Sequence, residues 1–180
     1  MAKKEKNFFI DKTSKLQENC TIYPGVVIEK NCKIGKNVTI QSGTIITNSV
    51  IIEDNCFIGP FSVLRDKTKI SKNSLIGPHC EIVRSTIGEN SKISHRAYVG
   101  DCLIGNKVFF GCGVVVANTN FEKRFKTKIG SNTKIGASST LISPITIGEN
   151  CFIAAGTILS KKIKSNTKIR MNLNYKLEKN

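Results

Sequence analysis

From Ile28 to Ile58 the chain reads IEKNCKIGKNVTIQSGTIITNSVIIEDNCFI, and the aliphatic residues Ile28, Ile34, Ile40, Ile46, Ile52 and Ile58 recur at every sixth position. The same register runs back through Ile22 and Leu16 to Ile10 and forward through Leu64, Ile70 and Ile76 to Ile82. After single five-residue steps it resumes at Ile87, Ile93 and Val99, then at Ile104, Phe110 and Val116. Beyond a longer gap it returns as Ile129, Ile135, Leu141, Ile147, Ile153 and Leu159, and Ile163 and Ile169 close it. A period of six matches neither the period of an α-helix nor that of one continuous strand. It fits short strands with a bend in every repeat, stacked coil upon coil.

Two further slots repeat with the anchors. Gly follows the anchor at Gly35, Gly59, Gly77, Gly88, Gly100, Gly105, Gly111, Gly130, Gly136 and Gly148, where a corner with unusual φ/ψ is the expectation. The fourth residue after the anchor is small or β-branched, as at Val38, Thr44, Ser62, Thr68, Ala97 and Ser139, which predicts a second, tight inward position. Cys20, Cys32, Cys56, Cys80 and Cys151 fall in that slot, so five of the seven cysteines read as compact apolar fillers. There is no CxxC pair, and only His79 and His95 could complete a mixed site, so no metal is expected.

Composition narrows the function. Lys and Arg number 28 against 13 Asp and Glu, a formal charge of +15, yet the basic residues are spread along the chain. Aromatic residues are only 7%, too few for base-stacking platforms, so no nucleic-acid partner is expected. A solvated basic surface that attracts small anionic substrates is the expectation instead. No apolar run is long enough for a membrane span, and MAKKEKNFFI lacks the apolar core of a secretory signal, so a soluble cytoplasmic protein is expected.

The repeat resembles the hexapeptide-repeat family, whose fold is a single-stranded left-handed parallel β-helix with three hexads per triangular coil. That resemblance implies an all-β chain of about eight coils, beginning near Leu16, Ile34, Ile52, Ile70, Ile87, Ile104, Ile129 and Ile147. At about 4.8 Å per coil the prism is roughly 40 Å long. The reading divides the chain into an N-terminal cap over 1–9, a β-helix over 10–170 and a tail over 171–180, with Phe8 and Phe9 covering the first coil. It carries one inserted loop over 117–128, ANTNFEKRFKTK, the largest departure from the repeat and a candidate binding element. The carbonic-anhydrase branch of the family needs three histidine ligands, and this chain has two histidines.

Between Ile52 and Leu159 the resemblance sharpens. SHRAYVGD, GNKVFFGCG, RFKTKIG and FIAAGTI occur in the order found in the acetyltransferase halves of bacterial bifunctional enzymes of UDP-N-acetylglucosamine synthesis, and in related archaeal glucosamine-1-phosphate acetyltransferases. The resemblance implies acetyl-CoA-dependent N-acetylation of a sugar phosphate within a homotrimer, with no metal required. It assigns His95 as the catalytic base, and Arg65, Arg84, Tyr98 and Arg124 to the acceptor. Cys112, Asn118, Ala137, Ala155 and Arg170 fall on positions that contact the coenzyme. Val83 stands where the family has a second phosphate-binding lysine, with Arg84 next to it as a substitute, and Phe109 replaces an acceptor-contacting asparagine. These departures leave a different amino or hydroxyl sugar, or a non-catalytic trimerising module, as alternatives.

Register alone stacks Leu64, Ile82 and Val99, and so places Arg65 beside Val83 at a corner towards which Tyr98 and His95 are expected to point. Backbone N–H groups of Gly111 to Gly113 are the expected oxyanion donors. Repeats starting at residue 10 leave no room for a nucleotide-binding uridyltransferase half, so none is expected.

Overall fold

A computed structural model describes residues 7–171. Within them the chain forms 26 strands of two or three residues, from β1 (Phe9–Ile10) to β26 (Lys168–Ile169), and no helix. Strands β1 to β22 each pair in parallel with the third one on, and β24 pairs with β26, which generates three sheets of nine, eight and nine strands. Sheet I runs from β1 to β25 (Ile158–Leu159), sheet II from β2 (Lys15–Leu16) to β23 (Ile145–Ile147), and sheet III from β3 (Thr21–Ile22) to β26. The result is a three-sided parallel β-helix of about nine turns, each turn passing through sheets I, II and III in that order.

The anchors are in register. Ile34 pairs with Ile52 and Ile52 with Ile70 on sheet II, and Leu64 pairs with Ile82 and Ile82 with Val99 on sheet I. Ile28, Ile40, Ile58, Leu64, Ile76 and Phe110 are fully buried in the single core they share. Burial of each such side chain is worth roughly 1.5–3 kcal/mol against exposure.

Where the small inward slot carries a hydroxyl or thiol, that group is in most coils hydrogen-bonded to the backbone of the next coil. Thr44 Oγ1 donates to Gly59 O (3.0 Å), Ser62 Oγ to Gly77 O (2.9 Å) and the Cys56 thiol to Ser71 O (3.1 Å). Each reaches a corner carbonyl of the next coil that the sheets leave unpaired. Cys32, Cys56, Cys80 and Cys151 are buried and Cys20 is half-buried in this slot, and Cys102 joins them after a five-residue step.

The glycines after the anchors are not there for left-handed backbone, which corrects the sequence expectation. The positive-φ residues sit further round the corner, mostly three residues after the anchor: Asn19, Asn31, Asn37, Asn55, Asn73, Asn90, Asn132 and Asn150, with Gly25, Gly43, Gly113 and Gly156 in the same slot. Asn tolerates this region better than other non-glycine residues. The glycine after the anchor is selected by close approach instead: a Cβ on Gly59 would lie 2.6 Å from the Gly77 carbonyl carbon and the Pro78 nitrogen of the next coil.

The excursion from the solenoid spans 118–126, between β19 (Val115–Ala117) and β20 (Thr127–Ile129), so Ala117, Thr127 and Lys128 belong to sheets. Of the expected caps, residues 1–6 and 172–180 lie outside the described residues. Phe8 packs on the core, but Phe9 is 56% exposed on the outer side of β1 and covers nothing.

Candidate active site

The corner from sheet III to sheet I follows β15 (Lys92–Ile93), β18 (Phe109–Phe110), β21 (Lys134–Ile135) and β24 (Phe152–Ile153). Two residues past each anchor stand His95, Cys112, Ala137 and Ala155, one above another. The carbonyls of the first three are used, since Gly113 N donates to His95 O (2.8 Å), Ser138 N to Cys112 O (2.7 Å) and Gly156 N to Ala137 O (2.7 Å). The N–H groups of all four donate to no protein acceptor among the described residues. In earlier coils Pro24, Pro60 and Pro78 occupy this slot, which a residue lacking an N–H can do only where the ladder leaves the donor unused.

The corner between sheets II and III shows that this is a choice. There the same slot is capped by side chains of the next coil: Lys36 N donates to Asp54 Oδ1 (2.9 Å), Glu89 N to Asn106 Oδ1 (2.9 Å), and Glu149 N to Ser165 Oγ (3.1 Å). At the corner that carries His95, none of the four donors from His95 to Ala155 is capped in this way among the described residues.

Side-chain size changes along that column. Ahead of His95 come Phe61 and His79, stacked with ring centroids 5.4 Å apart, and then Arg96. After His95 the corner holds only Cys112, Gly113, Ala137, Ser138, Ala155 and Gly156. A groove of about 390 Å³ opens here, lined by Ser94, Phe109, Gly111, Cys112, Lys134, Ile135, Gly136, Ala137 and Phe152. Arg170 follows β26 at the same corner, one coil beyond Ala154, whose N–H donates to Ile169 O (3.1 Å). The expected oxyanion donors are corrected by this geometry. Gly111 N is bonded to Ile135 O and Gly113 N to His95 O, so of that segment Cys112 N alone is free among the described residues.

The corner from sheet I to sheet II holds the arginines. The five-residue steps shorten it, giving Arg84 and Asp101 positive φ at equivalent positions one coil apart, after β13 (Glu81–Val83) and β16 (Tyr98–Gly100). Arg84 donates from Nε to Asp101 Oδ1 (2.7 Å) and from Nη2 to Asp101 Oδ2 (2.9 Å), and its Nη1 reaches Asp66 Oδ2 (3.2 Å). Arg65 donates from Nη1 to Asp66 Oδ2 (2.9 Å) and from Nε and Nη2 to Glu81 Oε1 (2.9 and 2.6 Å). Asn118 Nδ2 donates to Asp101 Oδ2 (2.5 Å), and Tyr98 OH to Asn118 Oδ1 (3.4 Å). Because Glu81 and Tyr98 are cross-strand neighbours, the set closes into a ring.

The charges of the ring perturb one another. Arg84 holds the Asp101 carboxyl below the usual carboxylate range, helped by Asn118 and by the charge of Arg124. Glu81 and Asp101 in turn push the Arg65 and Arg84 guanidiniums up. Val83, the register neighbour of Arg65, is fully buried and offers no group to a ligand.

The assigned residues therefore divide between two corners, with the outer face of sheet I between them. Arg65, Arg84, Tyr98 and Asn118 are joined at the I/II corner, and Arg124 stands on the exposed loop, where Thr119 and Arg124 form an antiparallel bridge. His95, Cys112, Ala137, Ala155 and Arg170 line the III/I corner. His95 does not share the arginine corner, as register had suggested; it is exposed in the turn three residues before Tyr98. Asp66, Glu81 and Asp101 were missed by the sequence reading. A signal existed, since Arg65 to Glu81 and Arg84 to Asp101 are separated by 16 and 17 residues, close to one coil.

Comparison with known proteins gives this geometry a class. A family model described as the GMPPB C-terminal domain matches residues 4–59 and 45–124, and one described as bacterial transferase hexapeptide (six repeats) matches 126–161. The first of these matches more than half of the chain, so the chain belongs to the GMPPB C-terminal domain family, and its later part carries bacterial transferase hexapeptide repeats. More particularly, it is 48% identical over 83 residues to the bifunctional protein GlmU of Clostridium botulinum and 45% identical over 83 residues to that of Clostridium kluyveri, a stretch in the acetyltransferase half. These matches span 46% of this chain and 18% of the relatives, so most of each relative has no counterpart here. Two solved structures share the fold: LpxA from Acinetobacter baumannii (TM-score 0.79, 20% identity, 88% of this chain and 67% of that one) and LpxA, a UDP-N-acetylglucosamine acyltransferase, from Bacteroides fragilis (TM-score 0.80, 24% identity, 88% and 68%).

Proposed function

We propose that the protein is an acetyl-CoA-dependent N-acetyltransferase acting on an amino-sugar phosphate, with glucosamine 1-phosphate the leading acceptor, in the synthesis of UDP-N-acetylglucosamine. The observation that carries the proposal is the column of uncapped N–H groups at His95, Cys112, Ala137 and Ala155 beside a groove of about 390 Å³. Evenly spaced donors along a narrow groove suit a linear ligand rich in amide carbonyls, which is what the pantetheine arm of coenzyme A is. Arg170, at the far end of the column, is available to its phosphates.

The donor's thioester then lies at the His95 end. A protonated amine has no lone pair, so the base must take a proton as nitrogen attacks the thioester carbon, and the imidazole of His95 is the group at hand for this. The carbonyl oxygen becomes an oxyanion that accepts from Cys112 N–H, and collapse of the intermediate expels the CoA thiolate. No covalent acyl-enzyme is required, and Cys112 has no role as nucleophile.

The acceptor is placed on the outer face of sheet I, between His95 and the arginine ring, with Tyr98 and Glu81 beneath it. A phosphate joining Arg65 exchanges one charge-assisted contact for another, because its three donor nitrogens already serve Glu81 and Asp66. That occupancy favours a second reading, an amino sugar without phosphate, since two arginines face three carboxylates in the ring.

The open side of the site calls for a second copy of the chain. Outer positions of sheet I expose Phe9, Ile45, Val115 and Ile158, the last at 69%. A homotrimer in the cytoplasm, in which the 118–126 loop of one protomer meets the groove of the next, accounts for them. The test is release of free CoA thiol on mixing the protein with acetyl-CoA and amino sugars with and without a 1-phosphate. Turnover with glucosamine 1-phosphate is expected; no release with any amine would overturn the proposal.

A further inference from the structure

The inserted loop leaves the solenoid at Asn118 and returns at Thr127, and both ends are fastened to one residue. Asp101 accepts Asn118 Nδ2 on its carboxylate (2.5 Å) and Thr127 N–H on its backbone carbonyl (3.1 Å). Its remaining groups are also committed, its N–H to Val83 O (3.0 Å) and its carboxylate to the Arg84 fork. The Asp101 side chain is 13% exposed, and Asn118 and Thr127 are buried. Between the fastened ends the bonds of the loop are short-range: Phe125 N donates to Asn118 O (2.8 Å), Lys123 N to Asn120 Oδ1 (3.0 Å), Asn120 N to Lys123 O (3.3 Å) and Phe121 N to Thr119 Oγ1 (3.0 Å), and none of them ties the loop to the solenoid. Phe121 at its tip is fully exposed and strained at φ +75°. A nine-residue excursion of this kind holds one conformation only if its base is held.

We propose that Asp101 is a positioning residue that clamps the loop, and through it sets where Asn118 and Arg124 stand relative to Tyr98. Asp101 touches no substrate. Its carboxylate bonds Arg84 and Asn118 at once, so the loop and the acceptor corner move as a unit. The shortened corner after Val99 puts Asp101 itself in left-handed backbone two residues past the anchor, where the six-residue steps of this corner have it three residues past, at Asn31 and Ser49. The kinetic part of this inference rests on the acetyltransferase reading; the clamp itself does not.

The experiment follows the loop directly. Lys123, Arg124 and Lys126 are exposed cleavage sites for trypsin. Asp101→Asn is isosteric but cannot accept from the Arg84 fork and Asn118 together, and native-state cleavage within 118–126 is expected to accelerate at least tenfold. Asn118→Ala removes the same bond from the other side and is expected to match it, while the double variant adds little. If Asp101→Asn does not fold, Asn118→Ala carries the test alone. Cleavage within twofold of the unaltered protein in a folded variant overturns the clamp, whether or not the protein proves to be an acetyltransferase. In acetyl transfer, Asp101→Asn is expected to raise the KM for substrate about tenfold with kcat changed less than threefold; an equal fall in kcat alone overturns the positioning role.

Discussion

Replacing Gly59 by Ala tests the packing logic of the whole solenoid. The new Cβ would stand 2.6 Å from backbone atoms of Gly77 and Pro78, which cannot rotate away. Restoring a tight but tolerable 3.4 Å requires the next coil to shift by about 0.8 Å, the difference between the two distances. The hydrogen bond from Gly59 N to Ile76 O, 2.7 Å long, would then stretch to the limit of a useful bond. Overpacking plus about one lost bond gives a cost of about 2–4 kcal/mol. Gly113 is the control. Its φ is +66° and its nearest Cβ neighbour would be Ser138 Oγ at 3.7 Å, so Ala there costs only the left-handed backbone, about 1–2 kcal/mol. Asn should recover part of that loss at Gly113 and none at Gly59. Urea unfolding followed by circular dichroism measures both. If Gly113→Ala is as costly as Gly59→Ala, or if Asn rescues Gly59, close approach is the wrong explanation.

Three further outcomes are expected. Burial pushes the Cys56 thiol up to about 11 and Cys102 up to about 12, so alkylation of the native protein near pH 8 should mark the half-buried Cys112 and Cys20 and leave these two unlabelled by mass spectrometry. Cys56→Ser keeps the donor to Ser71 O and should retain activity with at most about 1–2 kcal/mol of lost stability; a folded but inactive protein would expose a functional thiol. Asp101 has a folded-state pKa below its unfolded value of about 3.9, so its contribution is present above that pH and disappears as the pH falls through the folded value. Asp101→Asn should therefore flatten the acid limb of the stability curve, and an unchanged limb would contradict the pairing with Arg84.

The sequence showed the coil because each anchor carries its own signal: an aliphatic side chain every sixth residue has no other regular home. The inward small slot was legible for the same reason, though not its hydrogen bonds, since Thr44, Ser62 and Cys56 find partners one coil away rather than nearby in sequence. The glycine slot was read at the right positions with the wrong cause, because a requirement for positive φ and a requirement for no Cβ both select Gly. Asn at the neighbouring slot was the distinguishing signal. Spacing did not show how the site residues are distributed: His95 and Arg65 lie on opposite corners, and only the prolines at 24, 60 and 78 mark the column with spare N–H groups. The ring of Arg65, Arg84 and their carboxylates depends on side-chain reach across coils, which no one-dimensional pattern displays.

The central claim, that His95 at the head of the donor column is the base for acyl transfer, is tested by His95→Ala with a verified acceptor. Turnover, read as CoA thiol released from acetyl-CoA, is expected to fall by about 10²–10⁴ while acetyl-CoA binding and the oligomer persist. The unaltered protein should show an acid-side limb in its pH–rate profile that the variant lacks. Turnover by His95→Ala at the rate of the unaltered protein would contradict the account.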